Sequence, residues 1–247
     1  MPSRPLAVLS DIHSNLHALD AVCADLDQHG IQEVMCLGDI VGYAAFPDEC
    51  TKRVRERGWA SVLGNHDAAV GNPRTLLDMN DTAGAGIRWA EQKMSADNRA
   101  WLAALPARIN RPREVFTHAS LFAPEEWQYL LDVESALLHF LRQRSPLCFI
   151  GHTHRPMILS WQRSAGLEAL VPGNGPIPLP ARGKVTLNVG SVGQPRDGDP
   201  RACYVLYHPK SNEVEFRRVE YDIRAAQHAI SQARLPSFTG RRLLRGA

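Results

Sequence analysis

The sequence predicts an α/β chain of two sheets, on three observations. Short β-rich runs alternate with helical stretches over the first 65 residues. Strands after residue 155 follow one another through short connections, and no segment repeats. Strand–helix–strand alternation implies parallel pairing with right-handed crossovers, whereas closely spaced strands imply a second, mostly antiparallel or mixed sheet. Leu6 to Ser10 is the first strand. Leu16, Leu19, Val22, Cys23 and Leu26 then recur at helical spacing, with Ser14 where an N-cap belongs and Gly30 as the stop. Val34 to Leu37 is a strand, Pro47 to Arg57 a helix opened by proline, and Ser61 to Leu63 the third strand. Asp81 to Leu105 has a helical pattern broken near Ser95 and stopped by Pro106. Strands at Arg113 to Thr117 and Leu147 to Ile150 bracket a helix from Val133 to Arg144. Four more strands follow, at Met157 to Trp161, Val185 to Val189, Ala202 to Tyr207 and Glu213 to Val219. A loop rich in Pro and Gly lies at Val171 to Arg182, and an amphipathic helix at Asp222 to Ala233 finishes the fold.

Composition narrows the functional classes. With 247 residues, 44% hydrophobic and 22% charged, the chain fits one large domain, 1–247, with a helical insert at about 80–105. Such a chain buries a sizeable core, and its mixed charge argues against disorder. No apolar run approaches the roughly 20 residues a membrane helix needs, and the first ten residues lack a signal-peptide core, so a cytoplasmic location is expected. Five scattered cysteines, Cys23, Cys36, Cys50, Cys148 and Cys203, form no CxxC pair and read as buried apolar residues in a reducing compartment. A net charge of +2 gives no support for nucleic acid as partner. Arg234, Arg241, Arg242 and Arg245 gather near the end, where a solvated tail explains them as well as a polyanion site does. Nothing in the sequence specifies an oligomeric state.

Five motifs each follow a strand: Asp11-Ile12-His13, Gly38-Asp39, Gly64-Asn65-His66-Asp67, Thr117-His118 and Gly151-His152-Thr153-His154. Five of the ten histidines fall inside them. Loops beyond the carboxyl ends of strands converge on one crevice in open α/β sheets. Asp11, His13, Asp39, Asn65, His118, His152 and His154 would then meet as four imidazoles, two carboxylates and one amide oxygen. That exceeds one tetrahedral site and suits two divalent ions with a shared ligand. Nitrogen and oxygen donors without thiolates suit Mn, Fe, Co, Ni or Zn. Two such ions outweigh the two carboxylates, so the centre would attract an anion such as phosphate.

These motifs, read as DIH, GDIVGY, GNHD, THAS and GHTH, resemble those of the calcineurin-like metallophosphoesterases, and the resemblance runs from Asp11 to about Pro200. It implies a four-layer αββα sandwich of two mixed sheets flanked by helices. By position it implies that Asp11, His13 and His154 hold one metal, that Asn65, His118 and His152 hold a second, and that Asp39 bridges them, with Mn favoured. It also implies hydrolysis of a small phosphate ester by a hydroxide held between the ions, with His66 as the catalytic histidine. Asp67, the next residue, is placed either to orient His66 or to be a surface carboxylate following a turn. Protein phosphatases and symmetrical diadenosine tetraphosphate hydrolases of this superfamily continue Gly-Asp into Val-Asp-Arg-Gly, whereas this chain has Val41-Gly42-Tyr43-Ala44. The resemblance is therefore closer to small prokaryotic phosphodiesterases. A nucleotide or dinucleoside polyphosphate hydrolase, a phosphomonoesterase, and a non-catalytic scaffold of the same fold are the rivals. A second departure is Ala119 after His118, where many relatives have glycine. Tyr43 is positioned to stack on a leaving group or to pack, and Arg196 to hold a phosphate or to pair with Asp197 and Asp199. Trp127 and Tyr129 are candidates for a substrate wall.

Overall fold

The structure is a computed structural model that describes residues 4–77 and 79–247. Met1 to Ser3, where the predicted domain begins, and Asp78 lie outside the described residues. The first half runs β1 (Leu6–Leu9), α1 (Leu16–Gln28), β2 (Glu33–Cys36), α2 (Pro47–Glu56), β3 (Ala60–Ser61), α3 (Asn65–Ala69), α4 (Pro73–Leu77), α5 (Asp81–Lys93), α6 (Ala96–Ala103), β4 (Arg108–Asn110) and β5 (Glu114–Thr117). The second half runs α7 (Val133–Arg142), β6 (Leu147–Ile150), β7 (Met157–Gln162), β8 (Gly166–Leu170), β9 (Pro176–Pro178), β10 (Lys184–Asn188), β11 (Ala202–His208), β12 (Glu213–Val219), α8 (Ile223–Gln232) and α9 (Ser237–Leu243).

Two six-stranded mixed sheets pack face to face, ordered β3-β2-β1-β11-β12-β9 and β4-β5-β6-β10-β7-β8. β1, β2 and β3 are parallel, as are β5, β6 and β10. The division between sheets does not follow the chain. β11 and β12 do not join the other late strands but return to pair antiparallel beside β1, while β5 and β6 enter the second sheet. The period-two pattern explains how central strands serve two cores. Leu6 and Val8 of β1, Met35 of β2, and Cys203, Val205 and Tyr207 of β11 point between the sheets, against Phe116 and Phe149. Ala7, Leu9, Val34, Cys36, Tyr204 and Leu206 point the other way, under Leu19, Val22 and Leu26 of α1 and Val54 of α2. Both faces of these strands are covered, so they read as continuous apolar runs.

Local signals acted with small displacements. Asn15, not Ser14, caps α1 by accepting from the Ala18 N–H at 3.2 Å. The predicted loop at 171–182 contains β9, which pairs with β12. The helical stretch from residue 81 breaks at Met94–Ser95 into α5 and α6, where Ser95 caps α6. It is fastened down: Trp89 Nε1 donates to the Ala45 carbonyl at 2.9 Å, and Asn98 Nδ2 donates to Asp48 Oδ1 at 2.8 Å. No helix among the described residues is long and apolar enough to cross a membrane.

Candidate metal centre

The loops after β1, β2, β3, β5 and β6 meet at one edge of the sandwich, and all seven predicted donors meet there. Asp11 and His13 follow β1, Asp39 follows β2, Asn65 opens α3, His118 follows β5, and His152 and His154 follow β6. Asp11, Asp39 and the four imidazoles are each no more than 5% exposed. Backbone strain concentrates at the same place. Asp11, His13, Asp39, His152 and His154 all sit in the left-handed region, with φ between 50° and 69°. That conformation costs a non-glycine residue on the order of 1 kcal/mol, and such strain typically marks functional sites. Close approach also dictates a glycine. A Cβ on Gly151 would lie 2.5 Å from Asp11 Oδ2, so only glycine lets the β6 loop reach the β1 loop.

The imidazoles are oriented by backbone carbonyls. His13 Nδ1 is 3.0 Å from the Val41 carbonyl, His118 Nδ1 is 2.7 Å from that of Leu37, and His154 Nδ1 is 2.6 Å from that of Gln194. A carbonyl only accepts, so each Nδ1 carries a proton and each Nε2 is turned inward, where the neutral ring presents a lone pair. Those lone pairs crowd. His13 Nε2 and His154 Nε2 are 3.1 Å apart, and His118 Nε2 is 3.1 Å from His152 Nδ1. Asn65 Oδ1 lies 3.2 Å from His118 Nε2. Asp11 Oδ1 is buried without a hydrogen-bond partner, 3.2 Å from His154 Nε2. Asp39 Oδ2 lies 3.3 Å from His118 Nε2 and 3.6 Å from His13 Nε2, between the two histidine pairs. Converging lone pairs and an orphaned carboxylate oxygen are unfavourable unless a cation lies among them. The donor set fits divalent metal: Asp11, His13 and His154 form one group within ligand reach, and Asp39, His118 and His152 another.

The electrostatics agree. Burial opposes ionisation of Asp11 and Asp39, yet His154 beside Asp11 and His118 beside Asp39 hold both carboxyls well below the usual carboxylate range. Burial likewise disfavours a charged His118, but Asp39 overrides it and pushes that imidazole up to about 9. Without metal, the carboxylates thus draw a proton into the place of a cation. Burial lowers His13, and lowers His152 to about 3, which leaves their ring nitrogens as free donors.

His66 is 4% exposed, and its ring lies 4.7 Å from those of His13 and Tyr43. Its Nδ1 has no hydrogen-bond partner. That nitrogen occupies the space over Gly42, where a Cβ would lie 2.3 Å from it. His66 is also within ligand reach of His13 and Asp39. The hydrogen bonds of Asp67 go to backbone groups instead of the imidazole. The Asp67 carboxylate is buried and accepts from the Ile40, Val41 and Gly64 backbone N–H groups at 2.9, 3.1 and 3.2 Å. It ties the Asp39 loop to the start of α3.

Tyr43 and Arg196 border the centre, the Arg196 guanidinium lying 5.7 Å from the Tyr43 ring centroid. Arg196 does not pair with its acidic neighbours: Asp197 takes Arg218 and Asp199 takes Arg201. The Tyr129 ring stacks on His152 at 3.9 Å. Together with Trp127, Arg74, Thr75 and Met79 it lines a cleft of about 510 Å³ that opens beside Asn65. The orienting carbonyls of Leu37, Val41 and Gln194 escaped sequence reasoning because a backbone oxygen leaves no side-chain signature.

This geometry is that of a candidate metal centre, and comparison with known proteins gives the class of protein that carries it. Residues 5–212 match the calcineurin-like phosphoesterase superfamily domain, and the chain belongs to that superfamily, whose members depend on two divalent metal ions. It is a metal-dependent phosphoester hydrolase. The chain is 39% identical over 246 residues, 98% of both chains, to an uncharacterized protein of Methanocaldococcus jannaschii. Its fold is similar to that of a metallophosphoesterase from Sphaerobacter thermophilus, with a TM-score of 0.88 and 35% identity over 99% of this chain and 100% of that one. A hypothetical protein from Pyrococcus horikoshii shares the fold at a TM-score of 0.79 and 19% identity over 98% of each chain.

Proposed function

We propose that the protein is a dinuclear phosphodiesterase of a single domain, residues 1–247, that acts on a small phosphate diester. Asp11, His13 and His154 would hold one ion, Asn65, His118 and His152 the other, and Asp39 Oδ2 both. Bound there, two divalent ions of the Mn, Fe, Co, Ni or Zn type, Mn first, supply Lewis acidity toward the phosphate and toward the attacking water. The observation that carries this reading is the pair of 3.1 Å contacts between inward-facing imidazole nitrogens, with the Asp39 carboxylate between them.

The chain's own groups do the rest. Burial pushes His66 down to about 4, so near neutral pH its ring is uncharged and offers one N–H. That role stabilises charge on the phosphoryl or leaving oxygen rather than delivering a proton from an imidazolium. The Asp67 carboxylate fixes the loop that carries Asp39. Tyr43 and Arg196 flank the substrate on the His13 side, and Tyr129 and Trp127 wall it on the His152 side. A diester is supported over a monoester because Tyr43 stands where an arginine would grip a second negative charge on the scissile phosphate. Five buried cysteines, none of them in a disulfide, suit a reducing cytoplasm.

Turnover of bis(p-nitrophenyl) phosphate against p-nitrophenyl phosphate, with each metal and then with a chelator, tests the reading. Diester turnover that needs metal and exceeds monoester turnover is expected. Preference for the monoester with every metal would overturn the diester assignment, and full activity in chelator would overturn the metal assignment.

A further inference from the structure

Two arginines beside the centre lack an aspartate or glutamate partner. Arg196 Nη2 donates to Gln194 Oε1 at 2.9 Å, and Arg242 Nη1, from the C-terminal helix α9, donates to the same oxygen at 3.2 Å. Among the described residues no aspartate or glutamate lies within 4.0 Å of either guanidinium. The nearby carboxylates are engaged elsewhere, Asp197 with Arg218 and Asp199 with Arg201. Arg196 Nε is buried without any partner. Arg242 Nε donates to an oxygen of the carboxyl group of Ala247, the last residue of the sequence, and Nη2 has no partner among the described residues. Two guanidiniums that share one neutral oxygen repel each other, and the Ala247 carboxyl group meets only Arg242, so an anion held by both would relieve the repulsion.

The pair is built into the fold. Leu243 beside Arg242 is buried, and the Gly198 N–H donates to the Gly246 carbonyl at 2.8 Å, fastening the end of the chain to the Arg196 loop. Gln194, the shared acceptor, also takes the His154 Nδ1–H on its carbonyl, and Arg196 lies over the Tyr43 ring that packs on His66 and His13. Burial, with Arg196 adjoining, pushes Arg242 down to about 10, which leaves it charged at neutral pH.

We infer that Arg196 and Arg242 form a second anion subsite, which takes a phosphate other than the one cleaved, so that the preferred substrates are phosphate esters bearing a second phosphate group. Guanidinium pairs bind phosphate through forked, charge-assisted hydrogen bonds. The subsite deepens the phosphodiesterase reading and rests on it for the position of the scissile phosphate. It also explains a basic α9 as part of the site rather than as a solvated tail.

The test separates the two ideas. In chelator-treated protein the metal centre cannot hold phosphate, so calorimetric titration with inorganic phosphate, at constant ionic strength, reads the arginine pair alone. One saturable site is expected, weakened at least about tenfold in both Arg196→Met and Arg242→Met. It is expected to persist in Arg241→Met, whose exposed side chain bonds Ser237. Two variants from separate segments, each checked by melting, guard against misfolding. In Mn-loaded enzyme, thymidine 5′-(p-nitrophenyl phosphate) is compared with and without a 3′-phosphate. Wild type should prefer the bisphosphate in kcat/KM, and Arg242→Met should cut that preference about tenfold. Absence of the phosphate site, or a preference unchanged in Arg242→Met, overturns the subsite. Phosphate binding without turnover of either ester would instead overturn the phosphodiesterase reading and leave the subsite standing.

Discussion

His66 and Asp67 are neighbours in sequence with separable duties. His66 packs on His13 and Tyr43 with a free Nδ1, so His66→Ala should keep two metals per chain and lower kcat by about 100-fold or more. Metal analysis beside kinetics checks this, and normal turnover would refute the role. Asp67 instead satisfies three buried backbone donors. Asp67→Ala strands them, and should cost on the order of 3 kcal/mol in denaturant melts. A loss below about 0.5 kcal/mol would contradict that account. The sequence could show that a carboxylate followed His66. It could not show where the carboxylate pointed, because three backbone N–H groups from Gly64 and from the Asp39 loop decide that, and they carry no residue identity.

Elements hold the centre through buried links that the motifs do not contain. On α7, His139 Nδ1 accepts from the Leu121 N–H at 3.0 Å, three residues beyond His118, and Nε2–H donates to Thr186 Oγ1 of β10 at 2.9 Å. Burial pushes His139 down to about 4 from an ordinary 6.5. The unfolded chain therefore binds this proton more readily than the folded one between those values, and protonation at Nδ1 breaks the Leu121 bond. The resulting stability, on the order of 3 kcal/mol, is fully present above pH 6.5 and lost as the pH falls toward 4. Melts at pH 7 and pH 4.5 should show a smaller pH-dependent loss in His139→Asn than in wild type, and equal losses would refute the link. Sequence marked His139 only as a histidine outside the motifs. Its two partners lie 18 and 47 residues away, so only the packed helix reveals the connection. The same limit hid the sheet membership of β11 and β12. Their alternation predicted strands, but pairing with β1 depends on two-faced burial, which a local window cannot register.

At the scale of the whole molecule, five strand ends from two sheets enclose two buried carboxylates and four imidazoles. The strand-end motifs and their shared chemistry were legible in the sequence, because a metal centre demands specific side chains at fixed places. The flanking arginines were not. Arg242 stands among Arg241 and Arg245 in a polar tail, and only the docking of α9 on the Arg196 loop distinguishes it. Cations that bind the folded chain alone also stabilise it by mass action. With free Mn²⁺ at 100 times its dissociation constant, the folded state should gain about 2.7 kcal/mol per ion, read as a fall in Tm on adding chelator. An unchanged Tm would mean that nothing had been removed.

Anomalous diffraction from crystals grown with Mn²⁺ addresses the founding assertion most directly. Two peaks about 3.5–4 Å apart are predicted, one among Asp11, His13 and His154, the other among Asn65, His118 and His152, with Asp39 Oδ2 touching both. A single peak, or none at these side chains, would contradict it.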